Sequence, residues 1–372
     1  MKSFWMTLAL VLAGTAQASK FEPLDGRILV FAGQSPQASL DYRALPNTPA
    51  PAGFSDYTGY DVGAPYKDYA PDAPGRFKGN DGLLEPTNWG SGDQCVACLL
   101  EREAFSESLI NIGLYLAGPQ DADGSMCRGE ERCAIARLAR GEFDEQLKVF
   151  ADWLLSLGER PVLLRVGYEF DGAWNNYDPG QFKAAWRHIH DFLRNAGVSN
   201  VAYVYYTYGF ANRDTLDQFW PGDDYVDWVG YSYFQMDPKV VGRGELAFAR
   251  AKGLKVFLGE VAPHTGDCKQ QIDLAKDTTL GRQWIDNFFS HVEDNRDVVR
   301  AIAYINEPWN DTERAPMWQD QTDHNCGGYF SRSNSRLNDN PKLEEYWARR
   351  VSRPLYLNLE PGLWGKLQRG SE

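Results

Sequence analysis

Short apolar runs rich in β-branched and aromatic residues recur along the chain. Between them lie segments whose apolar residues return every three or four positions. Residues 28–32, 109–116, 161–169, 201–207, 226–234, 255–261 and 299–306 read as strands, and 57–62 as a weaker one. Phe182, Trp186, Ile189 and Leu193 fall on one face of a helix over 181–195, which Asp178-Pro179 would start. Phe143, Leu147, Phe150, Leu154 and Leu157 make a second such stripe, and Trp284, Phe288 and Val292 a third. These faces are core packing. Residues 44–92, rich in Pro, Gly, Tyr and Asp, read as ordered loop. Continuous apolar strands alternating with helices predict an α/β fold whose parallel sheet is covered on both faces. About eight such units predict a closed (β/α)8 TIM barrel, with chemistry at the C-terminal ends of the strands. An open doubly wound sheet would carry a Gly-rich phosphate turn, and no GxGxxG follows a strand here.

At 372 residues the chain can bury one large barrel core. Its 38 Lys and Arg against 51 Asp and Glu leave a formal charge of −13, which argues against nucleic acid or an anionic membrane surface as partner. Residues 1–18 read as an export signal: Lys2, a short apolar run from Met6 to Ala13, then Ala16-Gln17-Ala18 as a cleavage site. The expected mature chain is a single catalytic domain over 19–372, secreted or periplasmic and monomeric, with no later stretch apolar enough to span a membrane. Export makes disulfides the expected use of Cys95, Cys98, Cys127, Cys133, Cys268 and Cys326, with a disulfide-bearing loop around 95–133. Zinc is the lesser reading, since the Cys127 to Cys133 spacing is wide for a zinc knuckle. The pairing stays open among 15 possibilities. Twelve Trp, 19 Tyr and 19 Phe offer flat apolar faces of the kind that suit sugar rings.

Two carboxylates stand where barrel chemistry is expected. Glu169 closes the fourth strand candidate and Glu260 the seventh. A glycosidase needs such a pair across one bond, one to protonate the leaving oxygen and one to attack or to activate water. Arg165 shares a strand face with Glu169 by the period of two and could hold Glu260 ionised. Arg165, Trp174, Asn175, Tyr233, His264 and Trp309 are the expected substrate-binding residues; of these Trp174, in a polar loop, Tyr233 and Trp309 would stack on or fence the sugar. His264 follows Glu260 on the same loop and could line the cleft. Asn306-Glu307-Pro308 looks like a familiar acid/base string but falls after the eighth strand, so Glu307 reads as a substrate or structural contact. There is no HExxH or GxSxG, and the five histidines show no metal spacing. Asp121 to Gly124 lacks the later ligands of a calcium loop. Neither metal nor cofactor is expected.

The segment from Arg165 to Asn175 resembles the strand-four motif of glycoside hydrolase family 26. The segment from Trp220 to Gly230 resembles that family's approach to strand six. Within the family the chain is most similar to the endo-β-1,3-xylanases, in residues 30–34, Asp223-Asp224, Ser232-Tyr233-Phe234, Glu293-Asp294-Asn295 and Tyr304-Ile305-Asn306. The resemblance implies a (β/α)8 barrel and a retaining mechanism with Glu169 as acid/base and Glu260 as nucleophile. It also implies that Tyr233 bonds near the nucleophile and that Trp174 and Trp309 shape the cleft. The family's β-mannanases carry His-Glu where this chain has Tyr168-Glu169. The leading expectation is therefore a secreted retaining endo-β-1,3-xylanase. The alternatives are a β-mannanase or β-glucanase of the same family, a non-catalytic carbohydrate-binding barrel, or an exported zinc hydrolase.

Overall fold

The computed structural model describes residues 19–60, 80–88, 90–116, 128–264, 272–319 and 330–369. Eight parallel strands form a closed barrel: β1 (Ile28–Ala32), β2 (Gly53–Gly59), β3 (Leu109–Tyr115), β4 (Val162–Val166), β5 (Val201–Thr207), β6 (Trp228–Tyr233), β7 (Lys255–Val261) and β8 (Val299–Tyr304). Each pairs with the next, and β1 pairs with β8 from Leu29↔Ala301 to Ala32↔Tyr304, which closes the ring. A short strand, Tyr356–Leu357, adds to β1.

Side-chain alternation splits the core in two. Leu29, Phe31, Leu163, Val204, Tyr206, Trp228, Phe257 and Ala301 fill the barrel interior. Ile28, Val30, Ile110, Leu164, Tyr203, Tyr205, Val229 and Ile302 face the helices. The helix Pro179–Asn195 shows why these segments coil: Asp178 accepts from the backbone N–H groups of Gly180 and Gln181, Pro179 fits the first turn, and Phe182, Ala185, Trp186, Ile189 and Leu193 are buried. None of the described helices is long and apolar enough to cross a membrane.

Strand β2 corrects the sequence reading. It lies at Gly53–Gly59, not 57–62, inside the stretch read as loop. Its sequence lacks an apolar run, and polar partners serve its buried Ser55 and Asp56. Asp56 accepts from the N–H groups of Tyr57 and Cys95. A Cβ at Gly53 would sit 2.4 Å from Phe31, so only glycine lets β1 and β2 close up there. Cys95 and Cys98 form a disulfide, which removes both from any zinc site. Cys133 is also disulfide-bonded. The export segment 1–18, Asp121 to Gly124, Cys127, Cys268 and Cys326 lie outside the described residues.

Candidate active site

The C-terminal ends of β4 to β7 bring Glu169 and Glu260 together, and local geometry explains how. Strand β4 ends at Val166, and the chain then turns through two left-handed residues, Gly167 at φ 54° and Glu169 at φ 52°. Glu169 is held in that conformation from several sides. Its N–H donates to the Tyr206 carbonyl (2.9 Å), and its own carbonyl accepts from Gly172 N–H (2.9 Å) and the Asn175 amide (2.8 Å). Glu260 reaches the interior through a bulge: Gly230 of β6 pairs with Phe257, but Ser232 pairs with Glu260, so β7 carries one extra residue. That bulge sets Glu260 level with Ser232, whose hydroxyl donates to Glu169 Oε1 at 2.6 Å.

Beneath Glu260 lies Arg165, fully buried. Its Nη1 donates to Glu260 Oε1 at 2.6 Å and its Nε to Asn111 Oδ1 at 3.1 Å. Its guanidinium lies 4.7 Å from the ring centre of Tyr206, 5.2 Å from Tyr57 and 5.3 Å from Tyr168. Glycines make this room. A Cβ at Gly113 would meet the Tyr57 ring at 2.4 Å, and one at Gly259 would meet Tyr206 at 2.7 Å and Arg165 at 3.0 Å. The Tyr57 hydroxyl gives Glu260 Oε1 a second donor at 2.8 Å.

The two carboxyls therefore differ in surroundings. Glu260 faces a fixed positive charge and a phenol. Glu169 has burial and the charge of Glu260 against it, which push it well above the ordinary carboxylate range, while the Ser232 hydroxyl pulls the other way. Burial and Glu260 raise Tyr57 and Tyr206 too, so both stay neutral donors.

The other expected residues divide. Trp174 is 48% exposed and meets Tyr208 edge-on at 4.9 Å, as an open aromatic surface requires. Asp171 steadies Tyr208 by accepting from its N–H at 2.8 Å. Asn175 is buried, its amide donating to the Tyr168 and Glu169 carbonyls; it braces the backbone around Glu169. Arg165 likewise serves Glu260 from below and has no exposed surface for a substrate. Tyr233 points outward from β6 into the helical layer, against Trp284, Phe288 and His291, and its place beside Glu260 is taken by Tyr57. Trp309 is not an open platform. It is 3% exposed, stacked between His264 at 3.6 Å and Trp318 at 4.6 Å, with its N–H on Gln34. His264 is buried without a hydrogen-bond partner on either ring nitrogen among the described residues, and burial holds its pKa well below the usual histidine value. Glu307 sits apart from the pair, bonded to Ser35 and paired with Arg314 at 2.9 Å; burial nevertheless raises it to about 7.

Residues 139–309, which hold β4 to β8 and both glutamates, match the model of glycosyl hydrolase family 26. A β-1,3-xylanase of Alcaligenes sp. is 26% identical over 375 residues, 96% of this chain and 70% of the relative. The β-1,3-xylanase TXYA of Vibrio sp. is 27% identical over 388 residues, 97% of this chain and 74% of the relative. Among solved structures, a modular endo-β-1,4-mannanase of Cellulomonas fimi superposes with a TM-score of 0.57 at 14% identity, over 96% of this chain and 80% of that one; it shares the fold. The similarity to glycosyl hydrolase family 26 thus spans the part of the barrel from β4 to β8 that holds both glutamates.

Proposed function

We propose that this chain is a secreted, retaining endo-glycosidase acting on a β-linked polysaccharide, with β-1,3-xylan as its substrate. The observation that carries the proposal is Ser232, whose side chain holds Glu169 while its backbone is in register with Glu260. One residue thus ties the two carboxyls together at the strand ends. The two relatives named as β-1,3-xylanases, similar over nearly the whole chain, support the choice of sugar. Export through residues 1–18 and a single domain over 19–372 belong to the same proposal.

In the first step a Glu260 oxygen attacks the anomeric carbon as the glycosidic C–O bond breaks. The proton of Glu169 passes to the leaving oxygen, and a glycosyl ester forms. In the second, Glu169 takes a proton from water, the water oxygen attacks the same carbon, and the ester bond breaks, releasing Glu260. Two inversions give retention. Glu169 needs its raised pKa to carry a proton near neutral pH, and burial beside a second carboxyl supplies it. Arg165 and Tyr57 hold the attacking carboxylate in place.

The test is a panel of β-1,3- and β-1,4-xylans, mannans and glucans, with products sequenced and their anomeric form followed by NMR. Glu169→Ala and Glu260→Ala should each lower the rate by about 100-fold or more, and Glu307→Ala far less. Undiminished cleavage by either of the first two variants, or inverted product, would remove the mechanism. Exclusive cleavage of mannan would remove the sugar assignment alone.

A further inference from the structure

The acid/base reading leaves open which oxygen of Glu169 carries the proton, and the hydrogens of three buried groups decide it. Ser232 Oγ lies 2.6 Å from Glu169 Oε1 and 3.0 Å from the Tyr206 hydroxyl. Ser232 has one hydrogen to give, and Tyr206 has one. Tyr206 is fully buried in the barrel and its hydroxyl bonds to Ser232 alone among the described residues.

Two directions are conceivable. If Glu169 carried its proton on Oε1, it would donate to Ser232 and Ser232 to Tyr206. The Tyr206 hydrogen would then have no acceptor among the described residues inside a closed barrel, which buried polar groups avoid. If instead Tyr206 donates to Ser232 and Ser232 donates to Oε1, every hydrogen is placed. The acidic proton then sits on Oε2, which no described group occupies. We infer that the hydroxyls of Tyr206 and Ser232 form a one-way relay that fixes the proton of Glu169 on Oε2 and keeps that oxygen free for the leaving group. Tyr206 and Ser232 are positioning residues, since both act through Glu169. Tyr206 has a second duty: its ring lies against the Arg165 guanidinium that serves Glu260. One side chain thus supports both carboxyls.

The relay also sets the strength of the acid. A hydroxyl donating to a carboxylate favours its charged form, so the relay works against burial, Glu260 and Asp171 and alongside Arg165. Those groups, with the phenol of Tyr206 itself, are the titratable and charged neighbours that face Glu169. Removing the serine hydroxyl therefore raises the pKa of Glu169 further and moves the alkaline limb of activity upward.

The inference rests on Glu169 being the acid/base, and the experiment separates the two. With β-1,3-xylan, kcat/KM is measured from pH 4 to 10 for the wild type, Ser232→Ala, Ser232→Thr and Tyr206→Phe, and Glu169→Ala is assayed with and without azide. Formation of a β-glycosyl azide by Glu169→Ala secures the acid/base assignment. The relay then requires that Ser232→Ala shift the alkaline limb up by about one pH unit and lower kcat/KM about tenfold. Tyr206→Phe should shift it the same way by about half as much, and Ser232→Thr, which keeps a hydroxyl, should restore it. Limbs that stay in place in both Ser232→Ala and Tyr206→Phe would overturn the relay while leaving the mechanism intact. Full activity of Glu169→Ala without azide would instead overturn the acid assignment and the relay with it. Should Ser232→Ala fail to fold, Tyr206→Phe, which loses only an oxygen, and Ser232→Thr decide the matter.

Discussion

Arg165 is the most consequential single charge in the barrel, and its replacement yields a number. Arg165→Met keeps the length and apolar stem but removes the partner of Glu260. The pair is nearly dry, with Arg165 fully buried and Glu260 at 6% exposure, and the contact is 2.6 Å. Orphaning one member of such a pair costs about 3–5 kcal/mol, because the remaining charge stays buried uncompensated. Exchanging both charges for neutral groups of similar volume costs far less, so Arg165→Met with Glu260→Gln should lie within about 2 kcal/mol of the wild type. Asn111 still loses a donor in the double variant, which accounts for about 1 kcal/mol of that difference. The coupling between the two sites is then at least about 1–3 kcal/mol. Urea unfolding at pH 7, followed by tryptophan fluorescence, reads all four corners of the cycle. A double variant as unstable as Arg165→Met alone would refute the ion pair as the reason for this arginine, and leave packing among the three tyrosines in its place.

Tyr233→Phe should leave kcat/KM within about twofold and stability unchanged or slightly higher, since its hydroxyl is buried in the helical layer without a partner among the described residues; a large loss of activity would contradict its outward orientation. Trp174→Ala should raise KM for polysaccharide about tenfold with little change in kcat, as expected for a half-exposed ring that binds but does not react; equal KM would remove it from the cleft. Glu307 is raised from 4.5 to about 7, so the folded chain holds a proton there that the unfolded chain releases. Its contribution is fully present below pH 4.5 and fades as pH rises through about 7, by on the order of 3 kcal/mol. Glu307→Gln should therefore flatten the fall in melting temperature between pH 5 and 8, and an unchanged slope would rule Glu307 out as its source.

Much of the barrel was legible because its strands are apolar on both faces. Runs such as 161–164 and 256–258 carry that pattern without interruption. Glu169 and Glu260 stood out as charges ending such runs. Strand β2 was misplaced for the converse reason: Gly53–Gly59 buries Ser55, Asp56 and Thr58 beside Phe54 and Tyr57, and hydrogen bonds serve the first two. Tyr57, which serves Glu260, was missed with it. The parity of β6 and β7 was also hidden. A bulge turns Glu260 to the same interior as Ser232, whereas unbroken alternation would have put it on the helical side, and nothing in residues 255–261 announces the extra residue. Ser232 and Tyr206 look like ordinary strand residues until their hydroxyls are found on the path to Glu169. Trp309 and His264 were placed near the right end of the barrel, but their mutual stacking depends on loops after β7 and β8 that have no local pattern.

The backbone at Glu169 takes a shape that glycine adopts freely and glutamate resists, at φ 52°. Its carboxyl is also kept where a charge is unwelcome. Both burdens vanish in Glu169→Gly, so the dead protein should withstand denaturant better than the living one. Selection for robustness alone would erase this residue first, and its persistence would mark a chain still working for its keep.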